Sequence, residues 1–211
     1  MTDAGTSVVG LVLAAGAGTR MGGPKALIRD RTGVPWVRTR AETLLAGGCD
    51  RVLVAVGAEA ATVRAQLPDG PSSGIGVVVV PGWQEGMGAS LTAGLDACAA
   101  VRPPPRAVLV ALVDVPGLTS PAVARIVRAG VTAPASGGTG RPLDAVLVQA
   151  SYLGVPGHPV LLGRDHWDGV RAAASGDSGA RRYLRDRDVM LVECADVADG
   201  TDVDTPEQLG R

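Results

Sequence analysis

Four aliphatic runs, Val8–Leu13, Arg51–Val56, Ile75–Val80 and Ala107–Val113, alternate with segments of helical period, and this alternation limits the fold more than any other feature. Each run is apolar at consecutive positions, as in a strand buried on both faces. Between them, Pro35–Ala46 sets Val37, Ala41, Leu44 and Leu45 at helical spacing and stops at Gly47-Gly48. Ala58–Leu67 and Ala89–Val101 read as further helices, and Ser120-Pro121 opens another as N-cap and first-turn proline. The chain has no phenylalanine and only 2% aromatic residues, so the core must be built from Val, Leu, Ala and Ile. The expectation is one α/β domain over 1–211 with a three-layer, doubly wound, mostly parallel sheet.

The second half is less regular. Asp144–Ala150 and Val160–Leu162 read as strands around a turn, Gly154-Val155-Pro156-Gly157-His158-Pro159. Helices are expected around His166–Ala174 and Ser178–Arg185, then a strand at Val189–Val192 and a helix start at Thr205. The segment Gly130–Leu143, with its Gly-Gly-Thr-Gly-Arg run, is an insertion that reads either as a lid or as a passive loop.

The first aliphatic run feeds directly into Leu13-Ala14-Ala15-Gly16-Ala17-Gly18-Thr19-Arg20-Met21-Gly22-Gly23-Pro24-Lys25. Lys25 is the only lysine in the chain. Glycines let backbone N–H groups approach phosphate oxygens, and Arg20 and Lys25 supply positive charge. Gly16 and Gly18 begin a dinucleotide fingerprint, but Met21 stands where its third glycine belongs. A Walker loop fails at Pro24, which displaces the lysine, and at Ala26, which lacks the magnesium-binding hydroxyl. Ligands of doubly wound sheets bind at the carboxyl ends of strands. This loop, Asp114 and the pair Asp202 and Asp204 all follow apolar runs, so they can meet on one sheet edge.

Net charge is −1, which offers no basic surface for nucleic acid. Cys49, Cys98 and Cys194 have no metal or redox spacing and suit buried thiols in a reducing, cytoplasmic setting. No apolar run is long enough to span a membrane, and Met1-Thr2-Asp3-Ala4 lacks the basic start of a signal peptide.

The pattern Leu-Ala-Ala-Gly-x-Gly-x-Arg-Met-Gly-x-Pro-Lys resembles the signature of nucleotidyltransferases that move NMP groups from NTPs onto phosphate-bearing acceptors. Gly86-Met87-Gly88-Ala89-Ser90-Leu91 with Gly94-Leu95, Asp114-Val115-Pro116, Gly157-His158-Pro159, Gly176-Asp177-Ser178-Gly179-Ala180-Arg181 and Asp202-Val203-Asp204-Thr205-Pro206-Glu207 extend the likeness along the chain. Together they are most similar to the molybdenum cofactor cytidylyltransferases of the molybdopterin nucleotidyltransferase group. The resemblance implies that CMP passes from CTP to the phosphate of molybdopterin, with Mg2+ as cofactor and pyrophosphate as leaving group. It implies nucleotide contacts from Leu13, Ala14, Ala15, Gly16, Gly18, Thr19, Arg20, Lys25, Gly86, Gly88 and Ser90. Arg20, Lys25 and Asp114 would act in catalysis. Asp114, Asp202 and Asp204 are the metal candidates, with the direct ligand of the last two left open. His158 and Arg181 are placed at the acceptor, although Arg181 also reads as a surface ion pair. Ala-Ala at Ala14-Ala15 resembles the pyrimidine users, where GTP users carry Gly-Gly. The implied partner is an acceptor enzyme of the xanthine dehydrogenase class.

Three rivals stand beside this reading. One is a related NTP transferase using GTP or another phosphorylated acceptor. A second is a non-catalytic cofactor chaperone, against which intact Arg20, Lys25 and Asp114 argue. The third, a dinucleotide-dependent reductase, is disfavoured by Met21.

Overall fold

The structure, a computed structural model, describes residues 7–133 and 140–209. The central part of the expected insertion, including Gly137, Gly138 and Thr139, lies outside the described residues, so neither reading of it is addressed.

A seven-stranded sheet has the order β3-β2-β1-β4-β6-β5-β7. Its strands are β1 (Val8–Ala14), β2 (Arg51–Val56), β3 (Ile75–Val79), β4 (Ala107–Leu112), β5 (Leu147–Tyr152), β6 (Val155–Gly163) and β7 (Met190–Glu193). β1 pairs in parallel with β2 and β4, β2 with β3, and β5 with β7. β6 runs antiparallel to both β4 and β5. The helices are α1 (Trp36–Ala46), α2 (Ala60–Arg64), α3 (Met87–Ala100), α4 (Ser120–Val131), α5 (Trp167–Ala173) and α6 (Arg181–Arg185).

Alternate residues of each strand feed two separate cores, because side chains change face at every step. Val8, Val12, Val54, Leu109 and Val148 pack under α1 and α4 with Leu44 and Ile126. Leu11, Leu13, Val110, Val160 and Leu162 pack on the other face with Leu91, Leu95 and Trp167. The three-layer architecture is therefore as expected, with a mixed right-hand half. All three cysteines are buried and free, and burial raises the thiols of Cys49 and Cys98 to about 12. Among the described residues no helix is long and apolar enough to cross a membrane.

Four local expectations are corrected. The helix expected over Ala58–Leu67 is shortened to α2, because Glu59 sits at φ 49 and breaks its start. The cap of α4 is Thr119, whose hydroxyl accepts from the Ala122 N–H at 3.4 Å, so Ser120 is already helical. The last element is a single 3-10 turn, Pro206–Gln208, closed by a Thr205–Gln208 capping box.

The fourth correction bears on the site. Gly157-His158-Pro159 lies inside β6 rather than in a turn. The chain reverses instead at Leu153 and Gly154, both at positive φ, whose N–H groups donate to Glu193 at 3.0 Å each. Proline cannot donate to a ladder, and the β5–β6 register shifts between Gln149 and Ser151, opposite this segment. The Gln149 amide reaches across that gap to the Gly157 carbonyl at 3.1 Å.

Candidate active site

β1 ends in the glycine loop, and the loop folds on Gly18. Its φ of 58 is left-handed, and an added Cβ would lie 2.1 Å from the Gly23 carbonyl oxygen, so only glycine fits. The Gly18 carbonyl accepts from the N–H groups of Met21 at 2.8 Å and Gly23 at 3.2 Å. This turn leaves the N–H groups of Gly16, Ala17 and Gly18 without a hydrogen-bond partner among the described residues. Three successive free donors form a concavity suited to anions.

The turn also carries Lys25 back beneath the loop. Its ammonium donates to Asp114 Oδ2 at 2.8 Å and to Asp204 Oδ1 at 2.5 Å. Lys25 is 15% exposed. Burial alone would lower its pKa, but the bonds to Asp114 and Asp204 outweigh burial and raise it. Lys25 in turn holds the Asp204 carboxyl below its ordinary value. Arg20 completes the group at 2.9 Å from Asp204 Oδ2. The Arg20 side chain is 69% exposed. Exposed pairs are worth about 0–1 kcal/mol, so Arg20 can leave Asp204 for another anion at little cost.

Asp114 follows β4, and the Val113 N–H donates to the Leu13 carbonyl at 3.2 Å, which fixes its distance from the loop. The C-terminal segment is laced to the same place. Val203 donates to the Asp114 carbonyl at 2.9 Å, and Thr119 Oγ1 to the Val197 carbonyl at 2.8 Å. Thus Asp202 and Asp204 flank a residue bonded to Asp114. Asp204 faces Lys25, whereas exposed Asp202 lines an adjacent cavity of 670 Å³.

No three His, Cys, Asp or Glu side chains among the described residues group closely enough to hold a metal ion. The three candidate aspartates therefore form no ready cage, because Lys25 stands between two of them. Asp114 Oδ1 is nevertheless buried without a hydrogen-bond partner. A buried carboxylate oxygen of that kind fits a hard divalent cation, which uses one or two carboxylates and keeps several waters.

The remaining sequence candidates lie apart in several places. Leu13, Ala14 and Ala15 are buried at the end of β1, and Ala15 belongs to the core under α3. Gly86 and Gly88 meet the segment Ser175–Asp177, where an added Cβ would lie within 3 Å of backbone at each position. Close packing accounts for both glycines, and Ser90 is buried behind them. Thr19 is exposed on the loop. His158, Arg181 and Asp202 share the cavity, whose floor includes Leu91, Val110 and Val160.

Burial holds the His158 imidazole below the ordinary value of 6.5, although the Val110 carbonyl and Asp114 pull it upward. His158 is therefore neutral at pH 7. Between its lowered value and 6.5 the unfolded chain binds more protons than the folded protein, so stability falls as pH drops through that window. Urea midpoints followed from about pH 7 to about pH 5 are expected to fall more steeply for the native protein than for His158→Asn. Parallel curves would show that His158 is not held neutral.

Two positioning residues escaped the sequence reading. Arg40 is 1% exposed in α1 and donates to the Val115 carbonyl and, at 3.0 Å, to the Leu118 carbonyl. It thereby clamps the loop after Asp114. It occupies the same helical stripe as Val37, Ala41 and Leu44, and a charge on that stripe was the available signal. Tyr152 donates to the His158 carbonyl at 2.6 Å, and its ring packs against Gly157 and Gly200. No local pattern marks it.

Residues 10–191 match the MobA-like NTP transferase domain. The chain belongs to the MobA-like NTP transferase family. Within and around this family, it is 40% identical over 207 residues to nicotine blue oxidoreductase of Paenarthrobacter nicotinovorans, covering 97% of this chain and 95% of that protein. It also resembles Rv0371c of Mycobacterium tuberculosis H37Rv, with a TM-score of 0.77 and 26% identity over 99% of this chain and 98% of that one. A structure of Rv0371c in complex with manganese matches with a TM-score of 0.71 and 25% identity over 98% and 97%.

Proposed function

We propose that this MobA-like NTP transferase moves CMP from CTP to the phosphate of molybdopterin. The supporting observation is the position of Lys25, held by Asp114 and Asp204 beside the free N–H groups of Gly16–Gly18. The acceptor phosphate oxygen forms a bond to the α-phosphorus, and the α–β bridging bond breaks. Pyrophosphate leaves with the released electron pair, and the product is molybdopterin cytosine dinucleotide.

In this reading Gly16, Ala17 and Gly18 bind the triphosphate through their backbone. Lys25 and Arg20 turn from the carboxylates to the charge that develops on the leaving pyrophosphate, where preorganised cations act most strongly. Asp114 would hold Mg2+ through its unpartnered oxygen, with Asp202 or Asp204 beside it, and the ion supplies further charge neutralisation. The manganese complex of Rv0371c supports a divalent ion. Neutral His158 orients the acceptor and need not act as a base, because a phosphate monoester is already ionised near pH 7. A xanthine dehydrogenase-class enzyme would receive the product. Ala14-Ala15 favours CTP over GTP on the resemblance to pyrimidine users.

A second reading is an oxidoreductase acting on nicotine blue, favoured by the 40% identity to a protein named nicotine blue oxidoreductase. One experiment separates the two. The protein is incubated with Mg2+, molybdopterin and each NTP in turn, with pyrophosphate as the readout. A parallel arm follows oxidation of NADH and NADPH with nicotine blue. Pyrophosphate release with CTP is expected. Release only with GTP overturns the base assignment. Absence of pyrophosphate release with every NTP overturns the transferase reading, and cofactor oxidation in its place supports the second.

A further inference from the structure

The 670 Å³ cavity carries more positive charge than the roles above use. Besides Arg181, its lining includes Arg185 and Arg187. Arg181 and Arg185 are four residues apart in α6 and so share a face, where like charges repel. Several arginines outside the cavity are paired with carboxylates, among them Arg106 with Asp144, Arg125 with Asp196, Arg141 with Asp188, and Arg171 with Asp96 and Asp168. The guanidinium groups of Arg181, Arg185 and Arg187 have no ion pair and no hydrogen bond among the described residues. Asp177 and Asp202, also on the cavity lining, pair with none of them.

Arg187 is nonetheless held in place. Its guanidinium stacks 4.6 Å from the centre of the Tyr183 ring. The Tyr183 hydroxyl lies 2.9 Å from His166 Nδ1, and His166 Nε2 lies 3.1 Å from the Ala145 carbonyl. Stacking fixes a guanidinium plane while leaving its N–H edge free for an oxyanion.

We propose that Arg185 and Arg187 extend Arg181 into an anion-binding rim, which takes the phosphate group of an acceptor whose ring system lies on the apolar cavity floor. Three guanidinium groups on one rim attract a dianion and fit its oxygens bidentately. The floor, including Leu91, Val110, Val160 and Leu162, receives a flat heterocycle. This deepens the acceptor side of the proposed function and rests on it. It assigns Arg185 and Arg187 to acceptor binding, and gives His166 and Tyr183 the positioning of Arg187.

The test uses the full chain without nucleotide and the fluorescent probe 6-hydroxymethylpterin phosphate, with its unphosphorylated alcohol as comparison. The native protein is expected to bind the ester about tenfold tighter than the alcohol, with the advantage shrinking as salt rises. Arg185→Gln, and Arg185→Gln with Arg187→Gln, should lose that advantage while keeping affinity for the alcohol. Arg51→Gln, at the amino end of β2, should keep it. Equal affinity for ester and alcohol, no binding of either, or an advantage retained in both arginine variants overturns the rim. Failure of the transferase reading shows separately, as absent pyrophosphate release in the assay above.

Discussion

Lys25→Ala is expected to cut turnover by about 10²–10³-fold, the usual cost of one preorganised group at a developing oxyanion. The fold should survive, because Lys25 lies at the sheet edge and not within either core. Its removal has a second effect that separates two possible roles. Asp114 and Asp204 share the Lys25 ammonium, at 2.8 and 2.5 Å. Without it, Asp114 loses its ion-pair partner and Asp204 keeps only exposed Arg20, so the two carboxylates should bind a divalent cation more tightly. Mn2+ titration without nucleotide is therefore expected to show higher affinity in Lys25→Ala than in the native protein, even as turnover falls. If both turnover and Mn2+ affinity fall, Lys25 serves mainly to hold the aspartates in place. Near-native turnover removes Lys25 from the mechanism. The raised pKa of Lys25 and lowered pKa of Asp204 keep the pair charged through the neutral range, so its titration sets neither limb of a pH profile there.

Much of this arrangement was legible because the determining features are local. The runs at Val8, Arg51, Ile75 and Ala107 became strands within one or two residues of expectation. A long apolar run has little alternative to burial, which is nearly complete in β1, β2 and β4 and only partial in the edge strand β3. The convergence of Lys25, Asp114 and Asp204 followed from a general rule about strand ends, although they lie 89 and 179 residues apart. What the rule could not supply was their direct bonding, which depends on how Gly18 turns the loop. The reversal of β6 was equally hidden. Gly157, His158 and Pro159 favour a turn locally, and only pairing with β5 and the reach of Gln149 make them a strand. The glycines at Gly86 and Gly88 carried an ambiguous signal, because close backbone approach to Ser175–Asp177 and approach to a ligand both require the missing side chain.

Arg40 shows why an unread residue can control a site, and Arg40→Ala is expected to destabilise the protein by roughly 2–5 kcal/mol. Burial lowers its pKa to about 10, yet it remains charged at neutral pH. Its guanidinium donates to the Val115 and Leu118 carbonyls, and its Nε has no partner. Truncation leaves both carbonyls unsatisfied, at about 1–3 kcal/mol each, and opens space beside Trp36 and Leu44. Loss of a desolvated charge offsets part of this cost. Arg40→Met separates the contributions, since it restores most of the volume but neither hydrogen bond. Urea unfolding should place it between the native protein and Arg40→Ala. Because the clamped loop begins directly after Asp114, Arg40→Met should also weaken Mn2+ binding although the site itself is unchanged. Native stability with native Mn2+ affinity in Arg40→Met would mean that β4 and the Val203–Asp114 bond suffice to place the aspartate. Native stability with weakened Mn2+ affinity would mean that the clamp positions Asp114 without being needed for folding.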